Sequence, residues 1–193
     1  MLSHIFLVAA FAVLPVTLAI PTHLQARCTG PGVNQATLSL VESFEGFSAT
    51  EYADPTGNPT IGYGHLCSDS SCSDVPYPIP LSDADGQALL QSDLAVAQNC
   101  ITLDTASCVV LNANQYGALV SLAFNVGCGN AASSTLISRL NTCSEDVDTV
   151  ISQELPKWDE SDGQVLSGLQ KRRAAEVQLA ETATSQGALP ACS

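Results

Sequence analysis

The chain is predicted to be an α+β protein, mostly helical, with its little sheet confined near the N-terminal third. Three observations predict this. From Asn114 the apolar residues Tyr116, Leu119, Val120, Ala123 and Phe124 recur at helical spacing, the stripe of a helix that buries one side. Ala36, Leu40, Val41, Phe44 and Phe47 follow the same period earlier in the chain. After Phe47 the period changes, and short alternating pieces are broken by Asp54-Pro55-Thr56-Gly57-Asn58-Pro59. That is turn chemistry, and it reads as a small hairpin or sheet.

Each segment has its own justification. Ile5 to Val13 is apolar but too short to span a bilayer, and Thr17-Leu18-Ala19 places small residues where a signal peptidase reads. Residues 1–19 are therefore expected to be a secretory signal peptide, although no Lys or Arg precedes the apolar stretch. Residues 20–27 read as a short propeptide or linker, and 28–193 as one folded domain, of two lobes at most. Gly46 is a natural terminator for the first helix. Cys67 to Pro80, with three prolines and many serines, reads as loop. Ser82 then looks like an N-cap, with Asp85 three residues on, opening a helix to about Ile101. Further helices are expected around Ser134–Leu140, Asp146–Leu155 and Leu169–Thr182.

Composition excludes several classes of function. Six Lys or Arg face nineteen Asp or Glu, a net charge of −13. Such a chain should bind neither nucleic acid nor an anionic membrane by electrostatics. The acidity serves solubility, or else a working pH low enough to neutralise part of the carboxylate load. Eight cysteines all lie after the signal segment, an even count that favours disulfides in an oxidising compartment. Pairing sequence neighbours gives Cys67–Cys72, Cys100–Cys108 and Cys128–Cys143, and leaves Cys28 with Cys192. That last bridge would tie the termini for about 5 kcal/mol on the chain-entropy model, and it is one of many connectivities the count allows. No C-x-x-C occurs and His65 is the one histidine clearly inside the domain, so neither a structural zinc nor any other cofactor is expected. G-x-S-x-G is absent too, and oxidised cysteines disfavour a Cys–His protease.

The chemistry concentrates between Glu45 and His65. Glu45 ends the first predicted helix, where the dipole's negative end and the flanking Phe44 and Phe47 favour the protonated form that an acid catalyst needs. Asp54 lies in a polar turn, suited to stay ionised as a base or cation stabiliser. Thr60 offers a hydroxyl that could hold an attacking water. Two carboxylates in different settings with a hydroxyl nearby are the minimum for acid/base hydrolysis of a glycosidic bond. Singly, each residue also has an ordinary structural explanation: a solvated helix end, an Asx turn before proline, a β-branched strand residue.

The ordered set carries more weight. Glu45-x8-Asp54-x5-Thr60, then Thr60-Ile61-Gly62-Tyr63-Gly64-His65, Gln115 to Gly127, Trp158, and Gly168-Leu169-x-x-Arg172-Arg173-x-x-Glu176 together resemble the phage-type lysozymes, glycoside hydrolase family 24. The likeness covers about Asn34 to Leu179. Its departures, the signal segment, the eight cysteines and the low isoelectric point, are similar to fungal secreted members. The resemblance implies a lysozyme-like fold, a small N-terminal sheet and a helical C-terminal lobe joined by a long helix, assigned to Ser82–Ile101, with the glycan in the cleft between. It implies a secreted, monomeric muramidase. Such an enzyme cleaves the β-1,4 bond between N-acetylmuramic acid and N-acetylglucosamine of bacterial peptidoglycan with inversion, and so carries Glu45 and Asp54 carboxyls about 6.5–9.5 Å apart. Asn125 aligns with a polar cleft position and is expected to bind substrate, or else to cap its helix. His65 is expected to pair with an acid such as Asp93, Trp158 to pack in the core, and Arg172, Arg173 and Glu176 to brace the last helix. The rivals are a chitin-active glycosidase and a glycan-binding module without catalysis.

Overall fold

A computed structural model describes residues 29–191 other than Pro55 and Asp162. The expected signal peptide and propeptide, and the Cys28–Cys192 bridge, lie outside the described residues. The order of elements is α1 (Gln35–Glu45), β1 (Ser48–Ala53), β2 (Pro59–Gly62), β3 (His65–Leu66), α2 (Asp83–Asp104), β4 (Leu111–Asn112) and α3 (Ala113–Val126). There follow α4 (Cys128–Ala132), α5 (Thr135–Leu140), α6 (Val147–Glu154), a 3-10 turn at Leu155–Lys157, β5 (Glu160–Ser161), β6 (Gln164–Val165), α7 (Ser167–Glu181) and β7 (Gly187–Leu189).

Two hydrophobic cores explain the architecture. The smaller gathers Ile61, Val75, Leu81, Leu89 and the Cys67–Cys72 disulfide under the three-stranded antiparallel sheet β1-β2-β3. The larger is helical and includes Val41, Leu111, Tyr116, Leu119, Leu136, Ile151 and Leu155. Helix α2 serves both, giving Leu89 to the first and Leu90, Leu94, Ala97 and Ile101 to the second. At 22 residues it runs about 33 Å. This is the two-lobe, helix-joined arrangement, with the connecting helix extending to Asp104 rather than Ile101.

Helix ends follow local chemistry. Ser82 caps α2 by accepting from the Asp85 amide at 3.2 Å, as its sequence position implied. Asn112 and Gln115 form a reciprocal capping box at α3, setting that start just before the apolar stripe. Helix α3 is the centre of the large lobe and crosses α1 closely, because Gly117 leaves room for the buried Thr37 side chain. Any β-carbon at residue 117 would collide with that threonine.

Two expectations are corrected. Cys100 pairs with Cys128 and Cys108 with Cys143, at Cα separations of 5.8 and 6.0 Å, in place of Cys100–Cys108 and Cys128–Cys143. Cys100 lies on α2 and meets the start of α4, whereas Cys108 lies beyond the end of α2 and meets the turn after α5. Folding thus separates the sequence neighbours, and both observed spans suit a disulfide. Strand pairing also extends beyond the N-terminal third, as the two-residue ladders β4–β7 and β5–β6. The first helix stops at Glu45, with Gly46 ending it as expected.

Candidate active site

Glu45 is the last residue of α1. Gly46 follows with φ 72°, donating its N–H to Glu42 at 3.2 Å, a left-handed turn natural to glycine. The turn ends the helix so that Glu45 stands at the mouth between the lobes. Two cavities meet there. One of about 500 Å³ is bounded by Phe44, Asn125, Leu166 and Arg172, and one of about 270 Å³ by Phe47, Tyr52 and Gly62; Glu45 lines both. A third cavity, of about 190 Å³ between the end of α2 and β7, has no titratable side chain in its lining.

Glu45 is anchored from the far end of the chain. Nη1 of Arg172 donates to its Oε1 at 2.6 Å, and Oε2 has no protein partner among the described residues. Arg172 is buried on α7, near the Phe44 ring at 5.7 Å, with Nε 3.4 Å from Glu176 and Nη2 3.4 Å from the Ser121 carbonyl. Glu176 is fully buried, accepts from the Ser121 hydroxyl at 2.7 Å and faces Nε of Arg173 at 3.1 Å. Its burial pushes the Glu176 carboxyl up, against the opposing pull of Arg173, Ser121 and Arg172.

Asp54 and Thr60 occupy the other end of the hairpin. From Ser48 to Tyr52 strand β1 takes four steps while β2 takes two, from Gly62 to Thr60, so a bulge bends the strand beside the groove. Oδ1 of Asp54 accepts from the amides of Asn58 and Thr56 and from the Thr56 hydroxyl, each at 2.8 Å. These bonds, the Asn58 amide first, hold its carboxyl below the usual range. Thr60 is buried, and its hydroxyl donates to the Asn58 carbonyl at 3.1 Å, leaving its lone pairs able to accept. Asn58 therefore links Asp54 to Thr60. Neither lines the two cavities that share Glu45, whereas Tyr52, paired with Thr60 across the sheet, does.

Asn125 is exposed in the final turn of α3, in the same cavity as Glu45. It is not the cap, since Gly127 takes that place with φ 85°. Trp158 packs partly buried against the large core. Among the described residues no cluster of His, Cys, Asp or Glu could hold a metal ion, and no helix is long and apolar enough to cross a membrane.

His65 pairs with Asp93 as expected, Nδ1 to Oδ1 at 2.9 Å, and its Nε2 also meets Asp74 at 3.2 Å. Burial works against the imidazolium, but the bonds and charges of Asp93 and Asp74 outweigh it and raise the His65 pKa. Asp93 itself moves up because its burial exceeds the benefit of the imidazole, while exposed Asp74 falls to about 2 through the Ser68 amide. With a raised folded value, the His65 contribution is complete below the unfolded pKa, about 6.5, and fades as pH rises through the folded one. His65→Asn should cost about 1 kcal/mol at pH 5, a drop of about 2–4 °C in the melting midpoint, with the gap closing by pH 9. A gap that is constant or widens with pH contradicts this clamp.

Residues 42–176 match the family model described as phage lysozyme, most of the chain. The chain belongs to the phage lysozyme family. An endolysin of Bacillus phage PZA is 36% identical over 154 residues, covering 79% of this chain and 56% of that protein. An endolysin of Acyrthosiphon pisum secondary endosymbiont phage 1 is 34% identical over 155 residues, covering 78% and 99%. The chain thus spans 56% of the length of the Bacillus phage PZA and B103 endolysins. Among solved structures, the muramidase domain of SpmX from Asticaccaulis excentricus superposes with TM-score 0.64 at 30% identity, over 78% of this chain and 98% of that one. A P22 lysozyme mutant gives 0.66 at 26%, over 79% and 99%.

For this lysozyme-family chain, sequence reasoning found the bracing of α7 by Arg172, Arg173 and Glu176 but missed that Arg172 reaches Glu45 and Arg173 reaches Asn125. One signal was available: a chain with only six Lys or Arg places three of them together beside a lone glutamate, Lys171-Arg172-Arg173 and Glu176, where a cation supports a distant carboxylate.

Proposed function

We propose that the chain is a muramidase, hydrolysing the β-1,4 bond between N-acetylmuramic acid and N-acetylglucosamine in bacterial peptidoglycan. The observation that carries this is Glu45, set between two cavities at the lobe junction of a phage lysozyme fold, with one carboxylate oxygen held by Arg172 and the other open. Oε2 is the oxygen that can give its proton to the leaving sugar oxygen. Asp54, kept ionised by its turn, stabilises the oxocarbenium-like transition state or takes the proton of the attacking water. Thr60 accepts a hydrogen bond from that water. Attack from the Asp54 side opposite Glu45 inverts the anomeric centre.

Three disulfides among the described residues support secretion through an oxidising compartment, with residues 1–19 as the signal peptide and the mature domain from Cys28. The acidic surface supports a monomer that contacts the glycan rather than nucleic acid or membrane. The test is solubilisation of purified, peptide-bearing peptidoglycan between pH 3 and 8, with chitin in parallel. Peptidoglycan is expected to clear and chitin to persist. Clearance of chitin would make the enzyme a chitinase, and binding of peptidoglycan without clearance at any pH would make it a glycan-binding module.

A further inference from the structure

The two ends of the Asn125 amide are not equivalent. Nη2 of Arg173 lies 2.7 Å from its Oδ1. A guanidinium has donors and no acceptor, so the oxygen must be the end turned towards it. The Nδ2 hydrogens are then turned away from Arg173, and they donate to no protein group among the described residues. Asn125 itself is exposed and lines the cavity that Glu45 lines, so those hydrogens are available to whatever fills it.

Arg173 cannot retreat to let the amide flip. Its side chain is 1% exposed and its Nε lies 3.1 Å from Oε2 of Glu176, which has no exposure at all. A free asparagine on a helix end would present either face. Here a buried ion pair selects one.

We propose that Arg173 is a positioning residue that fixes Asn125 as a hydrogen-bond donor, and that Asn125 thereby selects a carbonyl oxygen of the substrate. This rests on the muramidase reading. A hydroxyl can donate as well as accept, so either face of an amide would suit it. A carbonyl only accepts, and a donor-only face matches it. Peptidoglycan offers such oxygens in the acetamido groups of its sugars and in its stem peptides.

Asn125→Asp separates the two roles. It keeps an oxygen for Arg173, with added charge assistance, and replaces the amide N–H group by an acceptor. Asn125→Ala removes both. On soluble, uncrosslinked glycan strands both variants are expected to lose about tenfold in kcat/KM, mainly through KM, with the melting midpoint of Asn125→Asp at or above wild type. Aspartate with wild-type kcat/KM would show that the Arg173 contact is structural only. Alanine with wild-type kcat/KM and aspartate impaired would assign the loss to the introduced charge. Either overturns the proposal.

Two modified substrates identify the acceptor. If it is acetamido, the ratio of wild type to variant collapses on de-N-acetylated strands; if it belongs to the stem, it collapses on strands stripped of peptide. A ratio unchanged on both overturns the carbonyl assignment. The same ranking is expected in dissociation constants measured in a Glu45→Gln background. A wild type that turns nothing over therefore sinks the hydrolysis reading alone, and the binding series still decides the role of Asn125.

Discussion

Glu45→Gln is expected to lower peptidoglycan turnover by about 100- to 10,000-fold, the usual worth of a positioned general acid, while leaving wall binding and the melting midpoint near those of wild type. Glutamine keeps the side-chain shape and retains an oxygen that can accept from Arg172 at the 2.6 Å contact. It removes the transferable proton and the charge of a partly exposed carboxylate, while Glu176 remains to pair with Arg172. The loss should appear in kcat rather than KM, because a proton given to the leaving oxygen matters in the transition state and little in the bound ground state. Wild-type turnover in this variant would remove Glu45 from the acid role. Loss of turnover together with loss of binding would instead point to a binding contact.

Arg172→Met has the largest expected effect on stability. The side chain is 5% exposed and reaches Glu45, Glu176 and the Ser121 carbonyl from one guanidinium. Methionine refills part of the space but strands the fully buried Glu176 with less compensation. Removing one member of a buried charged set costs about 3–5 kcal/mol, a large share of the stability of a single domain. The midpoint of chemical denaturation should fall with its slope unchanged, the sign of a change in stability without a change in the unfolding unit. Turnover should fall as well, because Glu45 loses the partner that fixes which of its oxygens is open. A denaturation midpoint within error of wild type would mean that the contacts of Arg172 contribute little.

The legible parts of the fold are those with a period or a local signal. Helix α3 announces itself through its stripe, α2 through Ser82, and the end of α1 through Gly46, whose positive φ is the conformation glycine supplies. The ladders β4–β7 and β5–β6 are two-residue pairings, too short to show any alternation; β4–β7 also depends on the helices that bring its strands together, whereas β5–β6 is a local hairpin. Cys67–Cys72 was legible as a sequence-near pair, whereas the pairing of Cys100, Cys108, Cys128 and Cys143 was illegible for a related reason. Cys100 and Cys108 are near in sequence, but the end of α2 at Asp104 separates their directions. Of the proposed site, Glu45, Asp54 and Thr60 lie within one local run, whose spacing carries the family resemblance. Arg172 lies 127 residues from Glu45 in sequence, and only tertiary packing joins them. Asn125 could be placed in the cleft from its alignment, but which end of its amide faces the cleft depends on Arg173, a contact no local pattern records.

The most direct measurement is mass spectrometry of the soluble fragments released from peptidoglycan by the intact chain, reading the sugar at each new reducing end. Reducing N-acetylmuramic acid, absent when Glu45→Gln is used, is the predicted result. Reducing N-acetylglucosamine, or fragments released by the mutant at the wild-type rate, would contradict the account.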